Sequence, residues 1–278
     1  MAEKKNQAEY WDGEGGDRWV RYREQIDRAI GVFGERALEQ LAPQLGERVI
    51  DVGCGAGTTS LALAEAVGAQ GAVLGVDVSE ALLNVARKRC AAFKQLQLLR
   101  GDAGSMDLGR NYDLLYSRFG VMFFDSPTEA FGHLRAALRA GGSLSFVCWQ
   151  GQEQNPWSLE PLRCILPFLD EPPPAPEARA PGPFAFADPE YIEEQLSAAG
   201  FGEIEIRDHT ADVVLGTGGV QGALDFSMQV GPAARLTTDL GPGPMAKIHA
   251  ALGELFQAAL EGQTVSLPGS AWAVSARG

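Results

Sequence analysis

The stretch VIDVGCGAGTTS, residues 49–60, constrains the fold more than any other part of the sequence. Its apolar start predicts a buried strand, TTSLALAEAV (58–67) predicts a helix, and Gly53, Gly55 and Gly57 stand between them. Glycine at such a turn permits unusual backbone angles and close approach of a ligand, and the free N–H groups of the helix start suit an anionic group. An ordinary tight turn is the alternative, so the surrounding pattern decides.

Strand and helix patterns alternate through the region that begins with this loop. The predicted elements, in order, are strand 47–53, helix 58–67, strand 72–77, helix 79–92, strand 96–102, strand 112–119, a helix from Pro127 to about Ala140 and strand 143–149. Such alternation demands crossover connections, which give a parallel sheet with helices on both faces. Ligands of these sheets bind beyond the carboxyl ends of the strands, so the loops there are the place for chemistry.

The rest of the chain has a different pattern. It predicts a helix from residue 24, an irregular proline-rich stretch at 167–189, a helix after Asp188, a long strand at 202–216, helices over 220–262 and a short strand at 270–277. We expect one domain over residues 1–278, in four parts: an N-terminal helical lid (1–45), a ligand-binding core (46–149), a proline-rich insertion (150–187) and a C-terminal part (188–278) that includes a helical substrate cap (217–262).

Composition excludes several classes of protein. The 278 residues are 45% apolar and 21% charged, which is typical of a soluble globular protein. A formal net charge of −13 repels phosphate backbones, so we expect no nucleic-acid partner. The N-terminus lacks the apolar segment of a signal peptide and no apolar run could span a bilayer, so we expect a cytoplasmic protein without a membrane partner. The four cysteines and three histidines do not cluster, so we expect neither a metal site nor a disulfide framework.

The residues around the glycine loop favour a particular nucleoside ligand. Asp77 ends the second predicted strand, 20 residues after Gly57, where an acid can accept hydrogen bonds from both ribose hydroxyls. A dinucleotide fingerprint would have glycine in place of Thr58, and the Asp51 carboxylate would repel a pyrophosphate. The same carboxylate would attract an ammonium or sulfonium group. S-adenosylmethionine carries both cations and one carboxylate, which the loop N–H groups could bind; a nicotinamide-dependent oxidoreductase is the disfavoured alternative.

Several motifs in order resemble a known family. DVGCGAGT, LGVDVS, GDA, YDLLYSRFGVMFF and LRAGGSLSFVCW resemble the successive motifs of the class I S-adenosylmethionine-dependent methyltransferases, over about residues 30–150. The subgroup looks like the small-molecule methyltransferases related to ubiquinone and menaquinone biosynthesis. The resemblance implies a Rossmann-like, doubly wound, mostly parallel seven-stranded sheet whose last strand is antiparallel. Residues 270–277 are well placed to be that strand.

The resemblance also implies a cofactor site. Asp51 and the glycines would hold the methionine part of S-adenosylmethionine, Asp77 the ribose, and Asp102 with Ala103 the adenine. Ser117 would lie where the methyl group faces the substrate. The full set of implied cofactor residues is Asp51, Gly53, Gly55, Gly57, Asp77, Val78, Ser79, Asp102, Ala103, Ser117, Arg118 and Trp19.

The sequence gives fewer signals for the residues that would act on the substrate. Methyl transfer from a sulfonium needs alignment and exclusion of water, and a general base only where the nucleophile holds its proton. No catalytic residue is identified; His209 is a candidate base, with a histidine at a sheet edge as the alternative. The candidate substrate-pocket residues are Trp11, Phe119, Trp149, Asn155 and Trp157; for the tryptophans, core packing is the alternative.

These features predict a methyltransferase that acts on an oxygen, nitrogen or carbon atom of a small, planar or apolar molecule. The alternative within the same fold is a protein that binds S-adenosylmethionine without methylating, or that acts as a partner subunit. The sequence determines neither the acceptor nor the oligomeric state.

Overall fold

The computed structural model describes residues 7–173, 177, 179–238 and 240–278. Helix α1 (Gln7–Trp11) and the long helix α2 (Glu14–Leu41) precede the sheet, so the N-terminal helix begins ten residues earlier than predicted. Tyr22 has non-helical angles (φ −105°, ψ 15°) and kinks α2. The buried face of α2 has the predicted helical spacing; its largest apolar members are Ile26, Phe33 and Leu41.

The central region alternates as the sequence indicates. Its elements are β1 (Arg48–Val52), α3 (Thr58–Val67), β2 (Ala72–Asp77), α4 (Glu80–Arg89), β3 (Leu96–Arg100), β4 (Tyr112–Arg118), α5 (Pro127–Ala137) and β5 (Leu138–Trp149). The predicted end of α5 at Ala140 was wrong. Leu138 already pairs with Tyr112 of β4, and Gly141, at φ 72°, lies in the irregular part of β5 before regular pairing resumes at Ser143.

The C-terminal region returns to the sheet twice. Its elements are α6 (Pro156–Ile165), α7 (Pro189–Ala198), β6 (Gly202–Gly216), α8 (Gly219–Ser227), α9 (Pro232–Leu236), α10 (Pro242–Ala258), β7 (Leu260–Glu261) and β8 (Thr264–Arg277). Helix α6 lies within the proline-rich insertion (150–187), before the stretch 167–189 that the sequence predicts to be irregular. Its proline residues do not prevent it, because Pro156 occupies the first helical position, although Pro161 lies within the helix.

The sheet has the expected topology. In the described residues the strands run in the order β3-β2-β1-β4-β5-β8-β6, and the two-residue β7 pairs with β8. Strands β1 to β5 are parallel, and β8 lies antiparallel between β5 and β6. The mostly parallel, doubly wound sheet with an antiparallel C-terminal strand is therefore confirmed, with β8 six residues longer at its start than predicted.

The proline-rich segment ends inside the hydrophobic core. Phe186 is 1% exposed, and its ring lies 5.9 Å from that of Phe131 on α5 and 6.4 Å from that of Phe146 on β5. The N–H of Gly182 donates to the carbonyl of Met122. This part of the insertion therefore fixes the chain against α5 and β5. Residues 174–176 and 178 of the insertion lie outside the described residues.

The described residues contain no helix with the length and apolar character of a membrane span. Within the same part of the chain, no three histidine, cysteine, aspartate or glutamate side chains lie close enough to hold a metal ion.

Candidate functional site

A cavity of about 340 Å³ lies at the carboxyl ends of β1, β2, β3 and β4. This is the edge at which parallel α/β sheets bind ligands. Its volume lies in the range of small-molecule sites. The predicted site residues that line it are Trp11, Trp19, Gly53, Gly55, Asp77, Val78, Asp102, Ala103, Arg118 and Phe119.

The three glycines of the loop have positive φ angles, and each serves a different purpose. A Cβ on Gly53 would lie 3.0 Å from the Cα of Gly120, and one on Gly57 would lie 3.0 Å from the Cβ of Ala86. These two glycines therefore allow the loop to pack on β4 and α4. A Cβ on Gly55 would meet no atom within 4 Å. Only Gly55 leaves open space at the cavity wall.

The N–H groups of these glycines already have partners within the protein. Gly53 donates to the carbonyl of Val76, Gly57 donates to that of Cys54, and Gly55 donates to the Asp77 carboxylate. The N–H groups of the three glycines are therefore occupied within the protein, and binding of a ligand carboxylate by the loop stays a prediction that rests on its other N–H groups. The first turn of α3, whose N–H groups have no intrahelical acceptor, remains available to an anionic group.

Asp77 joins the glycine loop to the start of α4. Its Oδ2 accepts the Gly55 N–H and its Oδ1 accepts the Ser79 N–H, each at 2.8 Å. Burial raises the pKa of the Asp77 carboxyl, and these backbone hydrogen bonds oppose the increase. Because a carboxylate offers about four acceptor positions, each oxygen can accept one further hydrogen bond from a ligand. Ser79 itself is fully buried; its hydroxyl caps α4 through the N–H of Leu82 and does not line the cavity.

Asp51 lies beneath the loop and does not line the cavity. The residue is completely buried, and its Oδ2 accepts hydrogen bonds from the hydroxyls of Thr59 (2.7 Å) and Ser60 (2.6 Å). Its Oδ1 is buried without a hydrogen-bond partner. Burial, which outweighs the two hydroxyl hydrogen bonds and the attraction of Arg118, raises the pKa of Asp51 to about 6. Asp51 is therefore absent from the cavity wall and holds α3 to β1.

The residues at the end of β4 divide between structure and cavity. Ser117 is buried, and its hydroxyl donates to the Val52 carbonyl at 2.8 Å. Arg118 lines the cavity, but its Nη2 lies 2.7 Å from the Asp27 carboxylate of α2. The other oxygen of Asp27 accepts the Thr58 hydroxyl at 2.6 Å. The Arg118 charge is therefore neutralised by α2.

At the nucleoside end predicted from the sequence, Asp102 and Ala103 follow β3. The Asp102 carboxylate accepts the N–H of Gly104 at 2.8 Å and the hydroxyl of Ser105 at 3.2 Å. Asp102 is exposed, and Ala103 is buried beside it in the cavity wall. The turn presents a carboxylate and small side chains to the cavity.

Aromatic side chains from the N-terminal helices cover the cavity. The Trp11 ring makes edge-to-face contacts with Trp19 and with Phe123, at 5.2 Å in both cases. Phe123 follows β4 in the chain, so this contact joins the N-terminal segment to the opposite wall. The two tryptophans therefore line the cavity, and they also pack with other aromatic rings.

Two contacts fix the N-terminal cover to the sheet edge. The Asp12 carboxylate lies 2.6 Å from the Arg100 guanidinium at the end of β3 and accepts the Glu80 N–H at the start of α4. A Cβ on Gly16 would lie 2.4 Å from the Ser79 hydroxyl, so only glycine allows α2 to approach this closely. The opening YWDGEGGDRW stretch thus has a packing role.

The structure does not bring three of the predicted substrate-pocket residues to this cavity. Trp149 is 4% exposed and stacks on Phe119 at 4.3 Å, so only Phe119 of this pair lines the cavity. The Asn155 amide donates to three carbonyls, and its oxygen accepts from the Ser270 N–H and from the Trp157 indole. Asn155 therefore anchors the end of β5 to β8, and Trp157 packs beside it.

The candidate base also lies elsewhere. His209 is on β6, where its Nε2 lies 3.2 Å from the Val32 carbonyl and its ring contacts Phe33 edge-to-face. It does not line the cavity, because α2 stands against this part of β6. This placement agrees with the alternative interpretation of a histidine at the sheet edge.

Part of the cavity wall was not among the predicted site residues. It comes from the connection between β4 and the first turn of α5. This connection follows a strand at the ligand edge, and that position is the only signal in the sequence. Its lining residues are Phe123, Phe124, Asp125, Ser126, Glu129 and Ala130.

Comparisons with known proteins find similarity to methyltransferases. Residues 49–142 match the family model described as a methyltransferase domain. The aklanonic acid methyltransferase DauC of Streptomyces sp. (strain C5) is 32% identical over 118 residues, which are 41% of this chain and 54% of that protein. A demethylmenaquinone methyltransferase of Staphylococcus epidermidis is 26% identical over 66% of this chain and 79% of its own.

A solved structure supports the fold. Phosphoethanolamine N-methyltransferase 2 of Haemonchus contortus, in complex with phosphomonomethylethanolamine and S-adenosylhomocysteine, has a TM-score of 0.53 at 15% identity. The match covers 97% of this chain and 59% of that one. The chain is therefore similar to methyltransferases in sequence, over residues 49–142 of the family model and over the regions shared with these relatives, and the solved structure supports the fold.

Proposed function

We propose that the protein transfers a methyl group from S-adenosylmethionine to an oxygen, nitrogen or carbon atom of a small, planar or apolar molecule, with the 340 Å³ cavity as the cofactor site. The observation that carries the proposal is Asp77. Its carboxylate lines the cavity, and both of its oxygens keep acceptor capacity after bonding to Gly55 and Ser79. Two adjacent ribose hydroxyls are the donors that such a carboxylate suits.

The strand order supports an orientation for the cofactor. Because the strands run β3-β2-β1-β4, Asp102 and Asp77 lie at one end of the cavity and Gly53, Arg118 and Phe119 at the other. If adenine binds at Asp102 and ribose binds at Asp77, the methionine part would lie at the ends of β1 and β4. When bound, S-adenosylmethionine would supply an activated methyl carbon at that end.

The protein's own contribution would be alignment and exclusion of water. Trp11, Trp19 and Phe123 cover the cavity, and Asp12 holds the cover to the ends of β3 and α4. These contacts support the proposal that the N-terminal helices act as a lid. No histidine lines the cavity among the described residues.

The packing of the C-terminal helices supports the proposal that they form a separate substrate cap. Helices α6, α8, α9 and α10 pack on one another above the ends of β5 and β6, and the Phe226 ring of α8 lies 6.5 Å from that of Tyr22 at the kink of α2. This contact joins the proposed cap to the proposed N-terminal lid. The curated relatives are named for aklanonic acid and demethylmenaquinone, which supports a small acceptor here.

The proposal includes a cytoplasmic location and no nucleic-acid partner. Cys54, Cys90, Cys148 and Cys164 are all unpaired thiols, as expected in a reducing compartment, and the net charge of −13 disfavours nucleic acid.

The test is incubation with S-adenosylmethionine and a panel of phenols, quinones, aromatic amines and carboxylic acids. We expect S-adenosylhomocysteine to be released together with a methylated product for at least one planar acceptor. Binding of the cofactor without release of S-adenosylhomocysteine across the panel would favour the non-methylating alternative. Methylation of a protein or nucleic acid alone would refute the small-molecule assignment.

A further inference from the structure

Phe119 has an unusual backbone conformation at the cavity wall. Its φ angle is 60°, in the left-handed region that bulky residues rarely adopt. Three hydrogen bonds hold the turn: Phe119 donates its N–H to the Val147 carbonyl, Gly120 donates to the Ser117 hydroxyl, and Ser117 donates to the Val52 carbonyl. Strain of this kind persists only where the surroundings enforce it, and it concentrates at functional sites.

The ring of Phe119 is also fixed from behind. It is 6% exposed and stacks on Trp149 at a centroid distance of 4.3 Å and an interplanar angle of 21°. The Phe33 ring lies edge-on to both, at 6.0 Å from Phe119 and 4.9 Å from Trp149. The ring therefore cannot withdraw from the cavity wall without disrupting this cluster.

The charges beside Phe119 leave its ring as a favourable surface for a cation. Arg118 is adjacent in the chain and lines the same cavity, but the Asp27 carboxylate neutralises its guanidinium at 2.7 Å. The acidic residues that line the cavity are Asp77, Asp102, Asp125 and Glu129, and Asp51 is buried beneath the loop. A cation at the ends of β1 and β4 therefore meets an aromatic ring and no unpaired arginine charge.

We propose that the Phe119 ring contacts the sulfonium end of S-adenosylmethionine and is a determinant of specificity for this cation over the neutral product S-adenosylhomocysteine. The inference rests on the proposed function, in which the sulfonium lies at the ends of β1 and β4. The physical basis is the attraction between a cation and the π-face of an aromatic ring. The ring would thus favour binding of the substrate form and release of the product form.

The test compares the dissociation constants of S-adenosylmethionine and S-adenosylhomocysteine by calorimetry for the wild-type protein and Phe119→Leu. We expect the variant to bind S-adenosylmethionine about 3- to 10-fold more weakly, with S-adenosylhomocysteine changed by less than about 2-fold. Phe123→Leu is the matched control, because Phe123 lines the cavity beneath Trp11. It should weaken both ligands by the same factor.

A second substitution protects the test against misfolding of the leucine variant. Replacing Phe119 with pentafluorophenylalanine keeps the ring's shape and reverses its charge distribution, so it should lower the preference for S-adenosylmethionine at unchanged melting temperature. An unchanged ratio of the two constants in this variant overturns the inference and leaves the proposed function intact. Failure of the wild-type protein to bind either ligand overturns the proposed function and the inference together.

Discussion

The proposed cofactor side and the proposed substrate side of this molecule are built in different ways. On the cofactor side, each group comes from the few residues that follow one strand: Gly53 to Gly55 after β1, Asp77 at the end of β2, Asp102 after β3. On the substrate side, the contacts join segments far apart in the chain. Asn155 bonds to Ser270, 115 residues away.

This contrast shows where local sequence determines a site. A strand end, a glycine with positive φ and a carboxylate lie within a few residues of one another in the chain. Their spacing in the sequence therefore determines their relative positions in the structure. The position of an aromatic ring such as Trp149 depends on Phe33 and Phe119, which belong to other elements. The following substitutions test this contrast.

The largest effect is expected at Gly55. Gly55→Val places a branched side chain in the open space at the cavity wall, so affinity for S-adenosylhomocysteine should fall at least about 100-fold. Gly46→Val is the matched control: Gly46 also has a positive φ (87°), and a Cβ there would meet no atom within 4 Å, but it precedes β1 at the opposite edge. Both variants should lose about 1–2 kcal/mol of stability.

Calorimetric titration and chemical denaturation of both glycine variants check this prediction. Equal cofactor affinity in Gly55→Val and Gly46→Val would show that the loop is only a turn.

The next largest effect is expected on the substrate side, and on stability alone. Asn155→Ala removes the buried amide that joins β5 to β8, leaving the Ser270 N–H and the Trp157 indole without their acceptor. We expect a loss of about 3 kcal/mol in the free energy of unfolding, with cofactor affinity unchanged. Asn84→Ala, on the exposed face of α4, should cost less than about 0.5 kcal/mol. Loss of cofactor binding in folded Asn155→Ala would contradict the separation of the two sides.

A smaller effect is expected at Asp77. Asp77→Ala removes the proposed ribose contact and the acceptor of the Gly55 and Ser79 N–H groups, so the affinity for S-adenosylhomocysteine should fall by about 2 kcal/mol, or roughly 30-fold. Asp113→Ala is the control, since Asp113 also accepts a backbone N–H, from Arg48, at the opposite edge of the sheet. Unchanged affinity in a folded Asp77→Ala protein would remove this residue from the site.

The smallest effect concerns pH. Burial raises the pKa of Asp51 from 3.8 to about 6, so between these values the native protein holds a proton that the unfolded chain has lost. The stabilisation from this proton is fully present below pH 3.8 and is lost as the pH rises through 6. Between about pH 5 and pH 7 the wild-type protein should therefore lose about 1 kcal/mol relative to Asp51→Asn. Urea denaturation of both proteins at the two pH values measures the difference; a constant gap would show that Asp51 ionises normally.

The accuracy of the sequence-based expectations follows the same contrast. The alternation of strands and helices and the cavity positions of Asp77 and Gly55 follow from local patterns, whereas the position of Asp102 follows from the family resemblance. Asp51 does not reach the cavity wall, because hydroxyls of the next helix hold its carboxylate under the loop.

The expectations for Trp149 and Asn155 failed for a different reason. Both follow a strand at the ligand edge, as a pocket residue should, but β8 and α2 cover them, and no local pattern reports which later strand will pair with β5. Glu129 was missed because it lies in the first turn of α5, beyond the strand end where binding residues were expected.

The central claim is that the cavity at the ends of β1 to β4 binds S-adenosylmethionine and not a dinucleotide. Calorimetric titration of the wild-type protein with S-adenosylhomocysteine and, separately, with NADH separates the two. We expect one S-adenosylhomocysteine bound per chain, with binding lost in Gly55→Val and weakened in Asp77→Ala, and no heat of binding with NADH. Saturable binding of NADH that Gly55→Val abolishes, with none of S-adenosylhomocysteine, would contradict the assignment of this cavity to S-adenosylmethionine.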